Sequence, residues 1–348
     1  MNTERINAVY YPSWRVYRGI TPATLNVKCI THILYAFIRV NEDGSLRSID
    51  ERADSVIPVD GETGALAALA KLKRQHPHLH TLVSIGGGSG SAEFPALAAN
   101  LSARANFACN VKDFVTKHNF DGVDIDWEHP STPSQGTDFL SLLHALRSAI
   151  PSPFLLTAAL PTGEYILKHI DLPSAAPLLS FINLMAYDFS GPWTKTSGHH
   201  AQLHPTPGIS PCTKSGAAGV AYFLRHGVPA SKIVLGVPTY AHCFAGVSAL
   251  GAQMPSSAKG ACTTVEYRDL DEACVRNATV CTLTGAASYV DPDGKGFMSF
   301  DVPATVRMKG RFVRDEGLGG LVYWTGAGDR AAGGGDSLVE AGFRELSR

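Results

Sequence analysis

The chain has 348 residues, 45% hydrophobic and 18% charged, with a formal net charge of −1. Such a composition can bury a large core, and the near-zero charge argues against a nucleic-acid or anionic-membrane partner, both of which need a basic surface. No run reaches the ~18 apolar residues that would cross a bilayer, so no membrane partner is expected.

In chain order, short apolar runs recur eight times, each followed by turn residues and then a helix-like stretch. They are Ile6–Ser13, Thr31–Ile38, His80–Gly86, Asp121–Glu128, Phe154–Leu160, Phe181–Tyr187, Lys232–Thr239 and Leu318–Thr325. Amphipathic spacing marks Ala65–Gln75, Ala103–His118 and Thr137–Ile150 as helices between them. This alternation is the signature of parallel βα units. Eight of them predict an α/β chain closed into a (β/α)8 TIM barrel rather than an open doubly wound sheet. Such barrels run to about 250 residues as one unit, which leaves roughly a hundred for insertions. From Ala241 to about Phe300 the rhythm breaks into a Gly-, Ser-, Thr- and Cys-rich interval without a long helical pattern. A small α+β insertion on the barrel rim, between strands seven and eight, is expected there. The barrel is then residues 1–240 and 301–348, and the insertion 241–300.

Met1-Asn2-Thr3-Glu4-Arg5 leads directly into the first apolar run. A signal peptide would need a basic flank, an apolar segment and a cleavage site before it. The expectation is a cytoplasmic monomer, secreted only if a leader has already been removed. The seven cysteines (Cys29, Cys109, Cys212, Cys243, Cys262, Cys274 and Cys281) are odd in number and contain no C-x-x-C pair. Reduced thiols are favoured over a zinc site or disulfide framework, although a local bridge between 243 and 281 is possible after export. The sequons at Asn100 and Asn277 matter only in that case.

The stretch Phe120-Asp121-Gly122-Val123-Asp124-Ile125-Asp126-Trp127-Glu128 carries most of the chemistry. Side chains alternate along a strand, so Asp124, Asp126 and Glu128 share one face while Val123 and Ile125 fill the other. In a barrel strand the acidic face is the interior, and its C-terminal end opens on the catalytic mouth. Neighbouring acids would lie about 7 Å apart at Cα. Burying three carboxyl groups together is costly. A solvated acidic strand end or a metal site are the other readings of the same row.

The row also resembles the signature of the family 18 glycoside hydrolases, Asp-x-x-Asp-x-Asp-x-Glu, at Asp121, Asp124, Asp126 and Glu128. Ser84-Ile85-Gly86-Gly87 is similar to that family's Ser-x-Gly-Gly, and Met185-Ala186-Tyr187-Asp188 to its Met-x-Tyr-Asp. Gly319-Gly320-Leu321-Val322-Tyr323-Trp324 is similar to its last strand. The resemblance covers most of the chain and implies a chitinase acting on chitin or chitooligosaccharides without a cofactor or metal. It implies a retaining mechanism in which the substrate's own 2-acetamido oxygen attacks the anomeric carbon. Glu128 would be general acid and then base, and Asp126 would orient the acetamido group. Asp124 would share a proton with Asp126, and Tyr187 would donate to the acetamido oxygen. Ser84, Gly86, Gly87 and Asp188 are expected among the substrate-binding positions. Trp324 would form the floor under the reacting sugar, with Tyr10, Phe37, Met185 and Tyr240 lining the same pocket and Trp193 an adjoining subsite. Asp121 has the wrong parity and is expected to be structural.

Three positions depart from the family pattern. Gly88 stands where many relatives carry an aromatic, Ala241-His242 where Gly-Arg or Ala-Arg is common, and Thr325 where an acid often follows the tryptophan. A phosphate loop at 86–90 lacks its lysine and final glycine, and a calcium loop at Asp291 lacks its glutamate, with Val302 in that place. His76, His78 and His80 fall in a loop with no convincing ligand set. An endo-β-N-acetylglucosaminidase acting on N-glycan cores is the alternative enzyme, and a chitin-binding lectin the alternative without turnover.

Overall fold

The computed structural model describes residues 5–206, 208, 214–254, 262–293, 296–331, 333 and 336–348. Eight parallel strands close on themselves: β1 (Ile6–Pro12), β2 (His32–Val40), β3 (His80–Gly86), β4 (Gly122–Asp126), β5 (Leu155–Pro161), β6 (Phe181–Met185), β7 (Ile233–Pro238) and β8 (Gly320–Trp324). Each pairs with its sequence neighbour, and β8 returns to β1 with Ile6 opposite Gly320. The eight apolar runs are therefore the staves of a (β/α)8 barrel.

The runs read as nearly continuous apolar sequence because both faces are covered. Outward, Val9, Ile33, Val83, Val123, Leu156, Ile182, Leu235 and Leu321, one from each strand, are buried in the layer beneath the helices. Inward, Ala8, Leu34, Leu82, Phe181, Val234 and Val322 fill the barrel. At about 1.5–3 kcal/mol for each large apolar side chain removed from water, this double burial holds the strands in register. Above the inner apolar layer lies a polar one of Ser84, Asp124, Thr157 and Asn183, all buried.

The helices include α1 (Ala65–Gln75), α2 (Leu101–Lys117) and α3 (Pro133–Ala149). The latter two begin earlier than the apolar spacing predicts. Asn100 accepts from the Ser102 and Ala103 amides, and Thr132 caps α3 ahead of a Pro-Ser-Gln-Gly turn. Caps are polar, so periodicity misses the turn they start. Asp121, just before β4, binds Lys73 Nζ at 2.7 Å and accepts from the Thr81 amide at 2.8 Å, which pins the lower end of the strand.

Between β7 and β8 the chain forms a five-stranded antiparallel sheet from Tyr240–Phe244, Cys262–Glu266, Thr279–Cys281, Ala286–Asp291 and Gly296–Phe300, with a short helix at Glu272–Arg276. Its first strand follows β7 almost without a break, so Tyr240 and His242 are carried to the mouth of the barrel. Pro292 and Asp293 form a turn after Asp291; Gly294 and Cys212 lie outside the described residues.

Candidate active site

The upper half of β4 presents its acids to the barrel interior in sequence order. Asp124, the deepest, is fully enclosed and accepts four hydrogen bonds: from Tyr10 Oη (2.9 Å), Ser84 Oγ (2.7 Å), Thr157 Oγ1 (2.6 Å) and Asn183 Nδ2 (3.2 Å). Burial still raises its pKa against these four donors. On the two flanking strands, β3 and β5, register places Ser84 and Thr157 directly beside it.

Asp126 differs sharply. Its Oδ1 is buried without a hydrogen-bond partner. Burial first, then the charges of Glu128 and Asp124, push its carboxyl well above the usual range. Two adjoining buried carboxyls resist double ionisation. Asp124 has four donors to stabilise its anion and Asp126 Oδ1 has none, so ionisation is opposed more strongly at Asp126.

Glu128 emerges at the cleft floor, where burial and then the charge of Asp188 raise its pKa. Its amide donates to Ser91 Oγ at 2.9 Å, and Ser91 in turn donates to the Gly87 carbonyl at 3.0 Å. Outward-facing Trp127 stacks on Phe94, with centroids 5.5 Å apart. These contacts aim Glu128 into the open space above β4. Tyr187 is likewise raised well above its ordinary value by burial and the surrounding carboxylates, so it remains a phenol able to donate.

A cleft above these groups is lined by Tyr10, Phe37, Gly88, Asp126, Glu128, Met185, Tyr187, Asp188 and Trp324. Trp324 meets Tyr10 edge-on at 5.3 Å and stacks on Phe37 at 5.6 Å, giving a flat aromatic floor. Four expected contacts lie elsewhere. Ser84 is enclosed behind Asp124, while Gly86 ends β3 and Gly87 follows it, packed against Phe37. Tyr240 opens with Trp193 into an adjoining groove that shares Asp188 and Trp324 with the main cleft. The reason is that the chain passes after β7 into the small sheet, whose first residue is Tyr240, with its hydroxyl on Asp188.

Asp188 stands between the two spaces. It is a non-glycine residue at φ 58° and accepts from Tyr240 Oη at 2.7 Å and His242 Nε2 at 2.9 Å. Burial acts upward on its carboxyl, but the adjacent His200 imidazole and the hydrogen bonds from His242 and Tyr240 outweigh it and hold the group well below the usual carboxylate range. The site therefore sets acids with raised pKa, at and just beyond the end of β4, against a firm anion after β6.

Residues 6–329 match the description "Glycosyl hydrolases family 18". The chain belongs to glycosyl hydrolase family 18. This family 18 hydrolase is 33% identical to "Chitinase 1" of Aphanocladium album, covering 98% of this chain and 85% of that protein. It is equally 33% identical, over the same shares, to "Endochitinase 1" of Metarhizium robertsii. Among solved structures it is similar to the group IV chitinase of Ostrinia furnacalis in complex with allosamidin, at a TM-score of 0.85 and 26% identity, covering 99% of this chain and 98% of that one. It is also similar to the class V chitinase of Nicotiana tobaccum in complex with NAG4, at a TM-score of 0.82 and 25% identity, covering 99% of each chain.

Several residues of this glycosidase site escaped the sequence reading. Thr157 and Asn183 hold Asp124, and their signal was visible: each is a lone polar residue at inward parity inside an apolar run. Tyr165 and Lys214 also line the cleft, with the Lys214 ammonium 5.6 Å from the Tyr165 ring centre. They lie beyond the strand motifs, where no spacing marks them. His200 belongs to the same class.

Proposed function

We propose that this hydrolase is a chitinase that cleaves β-1,4-linked N-acetylglucosamine chains with retention of configuration, by substrate assistance. The observation that carries the reading is the orphaned Oδ1 of Asp126 beside Glu128, whose ionisation burial and the Asp188 charge oppose. A buried acceptor without a partner is costly unless substrate completes it. An acetamido N–H is the donor that N-acetylglucosamine brings. Turned this way, its carbonyl oxygen faces the anomeric carbon, and the Tyr187 hydroxyl can donate to that oxygen as charge shifts onto the ring.

The other carboxyl groups support the same reading, because none is a free anionic nucleophile. Asp124 is saturated by four donors, ionisation of Asp126 is opposed by burial and two neighbouring carboxyls, and Asp188 is bound by Tyr240 and His242. The substrate's own oxygen fills the role. Glu128 protonates the leaving oxygen, an oxazolinium ion forms, and Glu128 as a carboxylate then draws the proton from an attacking water. The Trp324 floor stacks against the apolar face of the reacting sugar. The identities to fungal chitinases support chitin as the substrate class over N-glycan cores.

The test pairs chitin oligosaccharides with a high-mannose glycopeptide and follows the products by NMR. Cleavage of the oligosaccharides with the β-anomer formed first is the expected result. A first-formed α-anomer would rule out the substrate-assisted route, and cleavage of the glycopeptide alone would move the specificity to N-glycan cores.

A further inference from the structure

Where the cleft meets the adjoining groove, three side chains converge from separate segments. Asp188 follows β6, His200 lies in the long loop beyond it, and His242 is the third residue of the first strand of the small sheet. One ligand atom from each lies within 4.8 Å of the others. Asp188 Oδ1 is 2.9 Å from His242 Nε2 and 3.7 Å from His200 Nδ1. His200 is fully enclosed, yet neither of its ring nitrogens has a hydrogen-bond partner. A buried imidazole with both nitrogens unused, aimed at a carboxylate, is a donor set in want of something to hold.

We propose that Asp188, His200 and His242 bind a divalent transition metal ion of the zinc class. Two imidazoles and one carboxylate suit zinc, nickel or copper better than magnesium or calcium, which favour all-oxygen shells. Zinc binds such atoms at about 2.0–2.2 Å, so neighbouring ligands of a tetrahedral shell stand roughly 3.4 Å apart. The two observed separations fall on either side of that figure, and small side-chain shifts close the difference. Outer contacts are already in place. Thr264 Oγ1 lies 3.3 Å from the other His242 nitrogen, and the Tyr240 hydroxyl donates to Asp188. Such partners fix the orientation of ligating groups. Asp188 remains 44% exposed, so the fourth position faces the cleft and admits water. The metal would occupy the carboxylate assigned to sugar recognition and so would compete with oligosaccharide; that consequence, unlike the site itself, rests on the function proposed above.

Zinc chloride titrated calorimetrically into the chelator-stripped full chain should show one equivalent bound. Each of His200→Gln and His242→Gln should weaken it by at least about tenfold, the lower bound for loss of even an outer-shell partner. If enclosed His200→Gln lowers the melting temperature, His242→Gln at the cleft edge carries the comparison. The cobalt-loaded wild type should give the visible bands of a four-coordinate ion without thiolate charge transfer. Zinc affinity unchanged in His242→Gln, no saturable binding, or a cobalt spectrum dominated by thiolate would each overturn the site. Zinc should also slow oligosaccharide hydrolysis as the site fills. Turnover indifferent to a demonstrably loaded site would leave the metal proposal standing and remove Asp188 from the sugar contacts.

Discussion

Burial and the neighbouring Asp188 charge both oppose the ionisation of Glu128. Glu128→Gln preserves its shape and removes only the transferable proton. The variant should fold with an unchanged melting temperature and lose about 10²- to 10⁴-fold in kcat, the usual weight of general acid catalysis. Retention of more than a few per cent of wild-type turnover would displace Glu128 from its role. Asp126 permits a second test, of stability against pH. Its folded pKa is raised, so the native chain holds a proton that the unfolded chain releases above about pH 4. The native state's stability is full below that pH and declines as pH rises towards the raised folded value. Asp126→Asn removes this titration. The variant should match the wild type near pH 4 and gain in relative melting temperature as the pH is raised, while losing activity. A stability difference flat across that range would contradict the protonated state of Asp126.

At the scale of elements, the site depends on how closely β3 and β4 approach at their upper ends. Gly86 adopts φ 118°, and a Cβ there would fall 2.2 Å from the Asp126 carbonyl oxygen. Gly88, two residues on, has ordinary space: its Cβ would lie 3.6 Å from both Glu128 carboxylate oxygens. Gly86→Ala should therefore cost about 1–3 kcal/mol, the scale of a forced backbone, and also lower kcat by moving the strand that aims Glu128. Gly88→Ala should leave the melting temperature within a degree or two. Denaturant titration of the pair decides the matter, and equal losses would mean that the strand ends are less tightly apposed than they stand here. The bare Gly88 also leaves the cleft without a ring beside Glu128. The small sheet acts at this scale too, because its first strand brings both Tyr240 and His242 to Asp188.

At the scale of the whole molecule, closure of the barrel rests on β1 meeting β8. A Cβ on Gly320 would stand 1.9 Å from the Ile6 carbonyl oxygen, too close for the two strands to pair. Gly320→Ala should lower unfolding stability by on the order of 3 kcal/mol, the upper end for overpacking, and shift the urea midpoint without a new active-site defect. A midpoint unchanged from wild type would mean that this seam contributes little to the closed ring.

Much of this architecture was legible in the sequence. Double-sided burial writes each barrel strand as a compact apolar run, and two-residue alternation requires Asp124, Asp126 and Glu128 to share a face whatever surrounds them. The order of the four motifs along the runs identified the family. Convergence between distant segments was not legible, because local periodicity carries no record of which loops meet. Only the closed ring brings Tyr10, Ser84, Thr157 and Asn183 onto Asp124, giving one acid four donors and leaving its neighbour Asp126 with an unpartnered Oδ1. Only the folding of the small sheet against the β6 loop sets His242 and His200 around Asp188. The residue types were decided locally by strand geometry, whereas their charge states were decided by the neighbours that tertiary structure supplied.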